Sequence, residues 1–193
     1  MSITKAEILT VLNNRLRRAE TDIDEEIRSA LSDLSSKDDF LIKEATRDTE
    51  EDVRYYSVPA NFKDRLVIKV NDSPPLTKKT WGEYQKAIAH ATGTGEPEIF
   101  ALHNDFFWLH PCPGSTTYTM TLYYSIFHPD DLDDIEFPEI FREAVYEATI
   151  CFYLIGKQLY EDLKVHIGLY DVHVATRKAT IKKDPPIVKY RDF

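Results

Sequence analysis

Cysteine is nearly absent, with two in 193 residues, Cys112 and Cys151. One falls in a proline-bracketed turn and the other in an apolar helical stretch, which argues against a disulfide framework and for a reducing compartment. Glycine is scarce too, six in the chain, and none has the spacing that cradles a phosphate; GxSxG and HExxH are also missing. No apolar run approaches the roughly 20 residues of a membrane span, and the opening MSITKAEIL lacks the core of a secretion signal. Positive charge is in deficit: the formal net charge is −9, against a dedicated nucleic-acid binder with its basic face. Internal repeats and low-complexity tracts are lacking. What remains is a soluble, cytoplasmic type of chain, one large domain or a small domain with appendages, long enough to bury a core without metal or disulfide.

Aromatic residues, by contrast, are plentiful between Pro97 and Phe127. Ile99–His103 and Phe106–His110 flank Asn104-Asp105, a two-residue hairpin turn whose side chains tolerate positive φ. Pro111-Cys112-Pro113-Gly114 forces a second reversal. Thr117–Ile126 then alternates, with Tyr118, Met120, Leu122, Tyr124 and Ile126 on one face. The stretch is expected to be three consecutive antiparallel strands. Upstream, Phe40–Thr46, Val53–Val58 and Arg65–Val70 read as strands, and Thr80-x-x-Glu83 caps a short helix carrying Trp81 and Tyr84.

The flanks are helical. Thr4-x-x-Glu7 and Asp22-x-x-Glu25 open two short amphipathic helices, the first with Ile8, Leu12 and Leu16, the second with Ile23, Ile27, Leu31 and Leu34. Arg15, Arg17 and Arg18 read most simply as a solvated face. Beyond the acidic linker 128–136, apolar residues recur at helical spacing from Phe137 to Leu159; Ile150, Tyr153 and Leu154 widen that face, so the helix is expected to have neighbours on two sides. Gly168 is the expected break, with a weaker helical pattern over Leu169–Ile181. Asp184-Pro185-Pro186 stops any helix and leaves an extended tail. The fold class is therefore α+β: an antiparallel β-sandwich or partly open barrel combined with N-terminal helices and a long C-terminal helix. The expected organisation is a helical pair 1–36, a β domain 37–127 with an inserted helix 80–91, a helical region 128–183 packing with 1–36, and a tail 184–193.

Candidate chemistry fares poorly. His103, Asp105, His110 and Cys112 resemble a ligand set, but with the turn at Asn104-Asp105 the imidazoles stand four ladder positions apart, roughly 13 Å, too far for one ion. Cys112 as a nucleophile has only His110 as a base and no helix N-terminus to lower its pKa. Asp130, Asp131, Asp133, Asp134 and Glu136 lack the glycine and spacing of a calcium loop. No catalytic, cofactor or metal residue is assigned. Tyr55, Tyr56, Phe100, Phe106, Phe107, Trp108, Tyr118, Tyr123 and Tyr124 read as core first, an assembly surface second and a stacking platform third. The charge is uneven: Thr176–Phe193 holds six basic and two acidic residues, about +4, leaving about −13 on the rest, as suits a tail that docks on something acidic.

An ordered set of motifs carries a family resemblance: Tyr56-Ser-Val-Pro-Ala-Asn-Phe62, Trp81-Gly-Glu-Tyr84, Gly95-Glu-Pro-Glu-Ile-Phe-Ala-Leu102, Leu109-His-Pro-Cys-Pro113, Tyr118–Tyr124, then a long helix after an acidic linker. Over about 56–160 the chain resembles the head-to-tail adaptor (connector) proteins of tailed bacteriophages. The resemblance implies a non-enzymatic virion structural protein, a homo-oligomeric, dodecameric ring bound to portal and to tail or nozzle proteins. DNA would pass without sequence-specific binding, and no cofactor or membrane is involved. The interface expected on this reading comprises Lys182, Lys183, Ile187, Val188, Lys189, Tyr190, Arg191 and Phe193 in the tail, with Tyr153 and Leu154 on the long helix. The competing readings are a stand-alone β-sandwich module binding a sugar or peptide through Trp108 and the tyrosines, and a hydrolase using Cys112 or His110.

Overall fold

The computed structural model describes residues 3–91, 93–133 and 135–183. The chain is α+β and divides into two compact units, Met1–Leu41 with Phe127–Phe193, and Ile42–Ile126. The first is helical: α1 (Lys5–Leu16), α2 (Asp24–Lys37), then, after the β unit and its own helix α3 (Trp81–His90), a 3₁₀ turn at Glu139–Phe141, α4 (Arg142–Gly156) and α5 (Tyr160–Lys183).

Local chemistry sets the helix ends. Thr4 Oγ1 accepts the Glu7 N–H at 3.3 Å, but the Glu7 carboxylate turns away to Arg142, so only half of the expected capping box forms. α1 stops at Arg17, which is left-handed at φ 52°, while the Arg18 N–H reaches Asn13 O. The Asn13 amide then closes the turn onto the Glu20 backbone in both directions at 2.9 Å. α2 opens with Asp24, Glu25 and Glu26 in its first turn, where carboxylates suit the dipole. Ile23, Ile27, Leu31 and Leu34 are all buried, as their spacing predicts. α4 is buried nearly all round, from Ala144 to Leu154. Its neighbours α1, α2 and α5 all belong to the same chain.

The expected break at Gly168 is not where the helix ends. α4 stops ten residues earlier through a Schellman cap, in which Gln158 takes φ 59°, Leu159 N–H bonds Leu154 O and Gln158 N–H bonds Ile155 O. A glutamine does what glycine usually does there, although Gly156 ends the helix two residues before it. Gly168 sits inside α5, and Val172, Val174 and Thr176 do not prevent it from running to Lys183.

The β unit holds two open sheets, one in the order β1-β7-β3 and one in the order β2-β6-β5-β4. Their strands are β1 (Ile42–Asp48), β2 (Tyr55–Ser57), β3 (Phe62–Val70), β4 (Thr77–Lys79), β5 (Ile99–His103), β6 (Phe106–His110) and β7 (Thr119–Ile126). Asn104 and Asp105 both have positive φ, and the ladder pairs His103 with Phe106 and Ile99 with His110, the register that a two-residue turn dictates. The three aromatic-rich strands do not form one run, however. β7 crosses to the centre of the other sheet, between β1 and β3. Met120, Leu122, Tyr124 and Ile126 are buried there, and Ser125 on the opposite face is buried too. β1 begins two residues later than its composition suggests, because Phe40 is taken up by the helical unit, its ring 4.7 Å from that of Phe141.

Candidate assembly surface

Two arginines, Arg15 and Arg142, tie the helical unit together through four carboxylates. Glu147 of α4, 2% exposed, receives Arg15 of α1 and His166 of α5, the latter through Nδ1 at 2.6 Å. Arg15 also reaches Glu143 at 2.7 Å. Arg15 is therefore a clamp between α1 and α4, where its sequence position suggested solvent; a lone arginine near a helix end gives no sign of a partner more than a hundred residues away. Burial lowers and its two carboxylate neighbours raise the Arg15 pKa, with a net rise. At the other corner Arg142 pairs with Glu7 and with Glu139.

α5 is seated by Leu163, Tyr170 and Val174, all buried. The Tyr170 hydroxyl donates to Asp33 Oδ2 at 2.7 Å, and Lys178 Nζ donates to Lys37 O at 2.7 Å. Burial first, then the bond to Asp33, pushes the Tyr170 pKa far up.

Tyr153 and Leu154 are buried within the unit, 2% and 1% exposed, and the Tyr153 hydroxyl donates to Glu20 Oε1 at 2.7 Å. Burial, with that bond second, raises the Tyr153 pKa to about 12. Their apolar surface is thus consumed inside the chain, and the largest group of outward apolar residues in the unit lies on α5, where Tyr160, Val165, Ile167, Leu169 and Val172 are all exposed, with Phe127, Ile140 and Ile155 exposed elsewhere. Sequence reasoning missed this surface because it placed the two-sided apolar helix over Phe137–Leu159 and read Leu169–Ile181 only as a weaker helical pattern, whereas the exposed apolar residues of α5 do not collect on one stripe. Lys182 and Lys183 are the last residues of α5; Ile187, Val188, Lys189, Tyr190, Arg191 and Phe193 lie outside the described residues.

In the β unit the aromatic face formed by Phe106, Trp108 and Tyr55 is partly covered by α3. Thr80 and Glu83 form the full capping box expected of that helix. The Trp81 ring stacks on His103 at 4.1 Å and meets Trp108 edge-on at 5.4 Å, and the Tyr84 hydroxyl donates to Leu109 O at 3.0 Å. Trp108 is thus half-covered by the chain's own rings, while Tyr55 and Phe106 on the same face stay exposed. Phe107 and Tyr56 stack on the opposite face. Cys112 is buried, as is Cys151, whose thiol pKa burial raises to about 12, far from a nucleophile's. His110 is buried with its Nδ1 unpartnered; burial, then the Arg54 charge, lowers its pKa. Among the described residues no group of three or more His, Cys, Asp or Glu is placed to hold a metal ion, and no helix is long and apolar enough to cross a membrane.

A helical bundle locked by ion pairs between its own helices, with apolar residues exposed on its last helix, and a second unit of two open sheets define a structural, contact-making class of protein. Residues 3–170 match the family described as SU10 adaptor protein, and the chain belongs to that family, a phage head-to-tail adaptor family. It is accordingly a phage adaptor structural protein. A comparison with curated proteins found no match.

Proposed function

We propose that the chain forms a homo-oligomeric, dodecameric ring between portal and tail proteins and continues the DNA channel without reading sequence. The observation that carries this reading is the exposed apolar surface of α5 on a chain of an adaptor family. Surface of that kind marks a place where another protein sits. The charge distribution supports it. A body near −13 repels phosphate, so DNA slides past without adhering. The stretch 176–193, near +4, acts as a docking arm for portal or for a neighbouring subunit, beginning on the last turns of α5 and including Lys182, Lys183, Ile187, Val188, Lys189, Tyr190, Arg191 and Phe193. The protein works in the virion by contact alone, with no catalytic step and no cofactor.

The test mixes the full chain with its cognate portal and reads assembly by negative-stain imaging and sedimentation. Rings on the portal are expected. Removal of residues 184–193, which leaves α5 whole, combined with Lys182→Glu and Lys183→Glu, is expected to weaken portal binding at least ~tenfold, about 1.4 kcal/mol. Unchanged affinity refutes the arm, and a chain that never associates with portal overturns the adaptor role.

A further inference from the structure

α5 carries exposed apolar side chains in two places, opposite the side it buries and along one edge of that side. At about 100° per residue, Val165, Leu169 and Val172 form one patch, 63%, 42% and 61% exposed. Tyr160 and Ile167, 59% and 42% exposed, form another roughly 150° away round the helix, and Ile155, 45% exposed, adds apolar surface five residues before Tyr160. Together they expose on the order of 500 Å² of apolar area, divided about equally between the two patches. One patch from each of two copies would supply the apolar core of a standard interface of about 1,600 Å².

The arrangement selects how copies meet. A two-fold dimer presses one patch against itself and leaves the other bare, whereas a head-to-tail contact covers both and repeats from copy to copy. In a ring of many copies neighbouring α5 helices run nearly parallel, so equal heights meet. Charges then complement each other. Glu161 and Asp162 flank the first patch at its N-terminal end, where Lys164 lies beside the second, and all three are exposed.

We propose that α5 is the subunit contact, with Val165, Leu169 and Val172 of one copy packed head to tail against Tyr160 and Ile167 of the next. This deepens the ring reading and rests on it.

Two full-length double variants test it: Leu169→Asp with Val172→Asp, and Tyr160→Asp with Ile167→Asp. Leu169 and Val172 lie opposite the buried side of α5 and Ile167 at its edge, so circular dichroism should match the unmodified chain for the first variant, and Tyr160→Asp alone stands in for the second where it does not. Each variant alone is expected to sediment as a monomer, and an equimolar mixture to give a one-to-one dimer and nothing larger, because a mixed pair keeps one intact contact. A variant that still closes into full rings overturns the α5 contact while leaving the ring reading standing. So does a variant that dimerises alone, or a mixture that does not pair. An unmodified chain that stays monomeric even with portal removes the ring reading itself. As a check independent of acidic substitutions, Val165→Cys with Ile167→Cys in one chain should give a ladder of covalent oligomers on oxidation, and either cysteine alone should give none; Cys112 and Cys151 are buried and stay silent. A ladder absent under assembling conditions counts against the contact.

Discussion

Arg15 and Glu147 show how much one pair can hold. Glu147 is almost wholly buried in α4 and accepts from an arginine of α1 and a histidine of α5, so three helices meet at one carboxylate. Removing Arg15, itself one-third exposed, leaves the buried Glu147 with His166 alone, a change that costs about 1–3 kcal/mol. Arg15→Ala should lower the unfolding free energy by about that amount in a urea titration, and an effect near zero would mean solvent already screens the pair. His110 gives a pH dependence of known sign. Its folded pKa lies below the ordinary histidine value, so below that value the unfolded chain binds the proton more readily than the folded one. The stability from keeping it neutral is present above the unfolded pKa and is lost as pH falls through the folded one. In urea midpoints measured from pH 7 down to pH 5, the advantage of the unmodified chain over His110→Phe should shrink steadily; a constant gap would rule this out.

Among the helices, glycine and the left-handed residue have traded places. Gln158 carries φ 59° at the end of α4, while Gly168 lies inside α5 with open space where a Cβ would go. A left-handed non-glycine residue costs about 1 kcal/mol, and a helical glycine costs about as much relative to alanine. Gln158→Gly and Gly168→Ala should therefore each stabilise the chain by roughly 0.5–1 kcal/mol, additively because they are ten residues apart, as thermal melts would report. The same pair explains what was legible. Taking Gly168 as the breaker and passing over Gly156, the last residue of α4, placed the stop too late, and backbone conformation at a glutamine leaves no trace in composition to correct it. The β5–β6 hairpin was fully legible because Asn104-Asp105 announces its turn and thereby its register. The alternation of β7 gave its faces but not its partners, for period two says which side chains are inward and nothing about which strand lies alongside. β4, three residues behind Pro74-Pro75, is too short to show any period. The burial of Tyr153 and the role of Arg15 both depend on residues more than a hundred positions away, which no local pattern contains.

At the scale of the whole chain, charge is partitioned along the sequence, acidic through most of its length and basic from Thr176 onward. If the basic arm docks through that charge, portal binding should weaken as salt rises and the dependence should flatten once residues 184–193 are removed, since charges in water are screened within about 8 Å at physiological ionic strength. Binding that ignores salt would assign the arm an apolar role through Ile187, Val188, Tyr190 and Phe193. The β unit has a different bearing on the molecule. Its first residue, Ile42, and its penultimate one, Ser125, are register partners on adjacent strands, so the polypeptide leaves the helical unit and returns to it at neighbouring points. A segment with its two ends side by side behaves as a cassette: it can lengthen, shrink or be exchanged over generations while the bundle that receives it keeps its own connections intact.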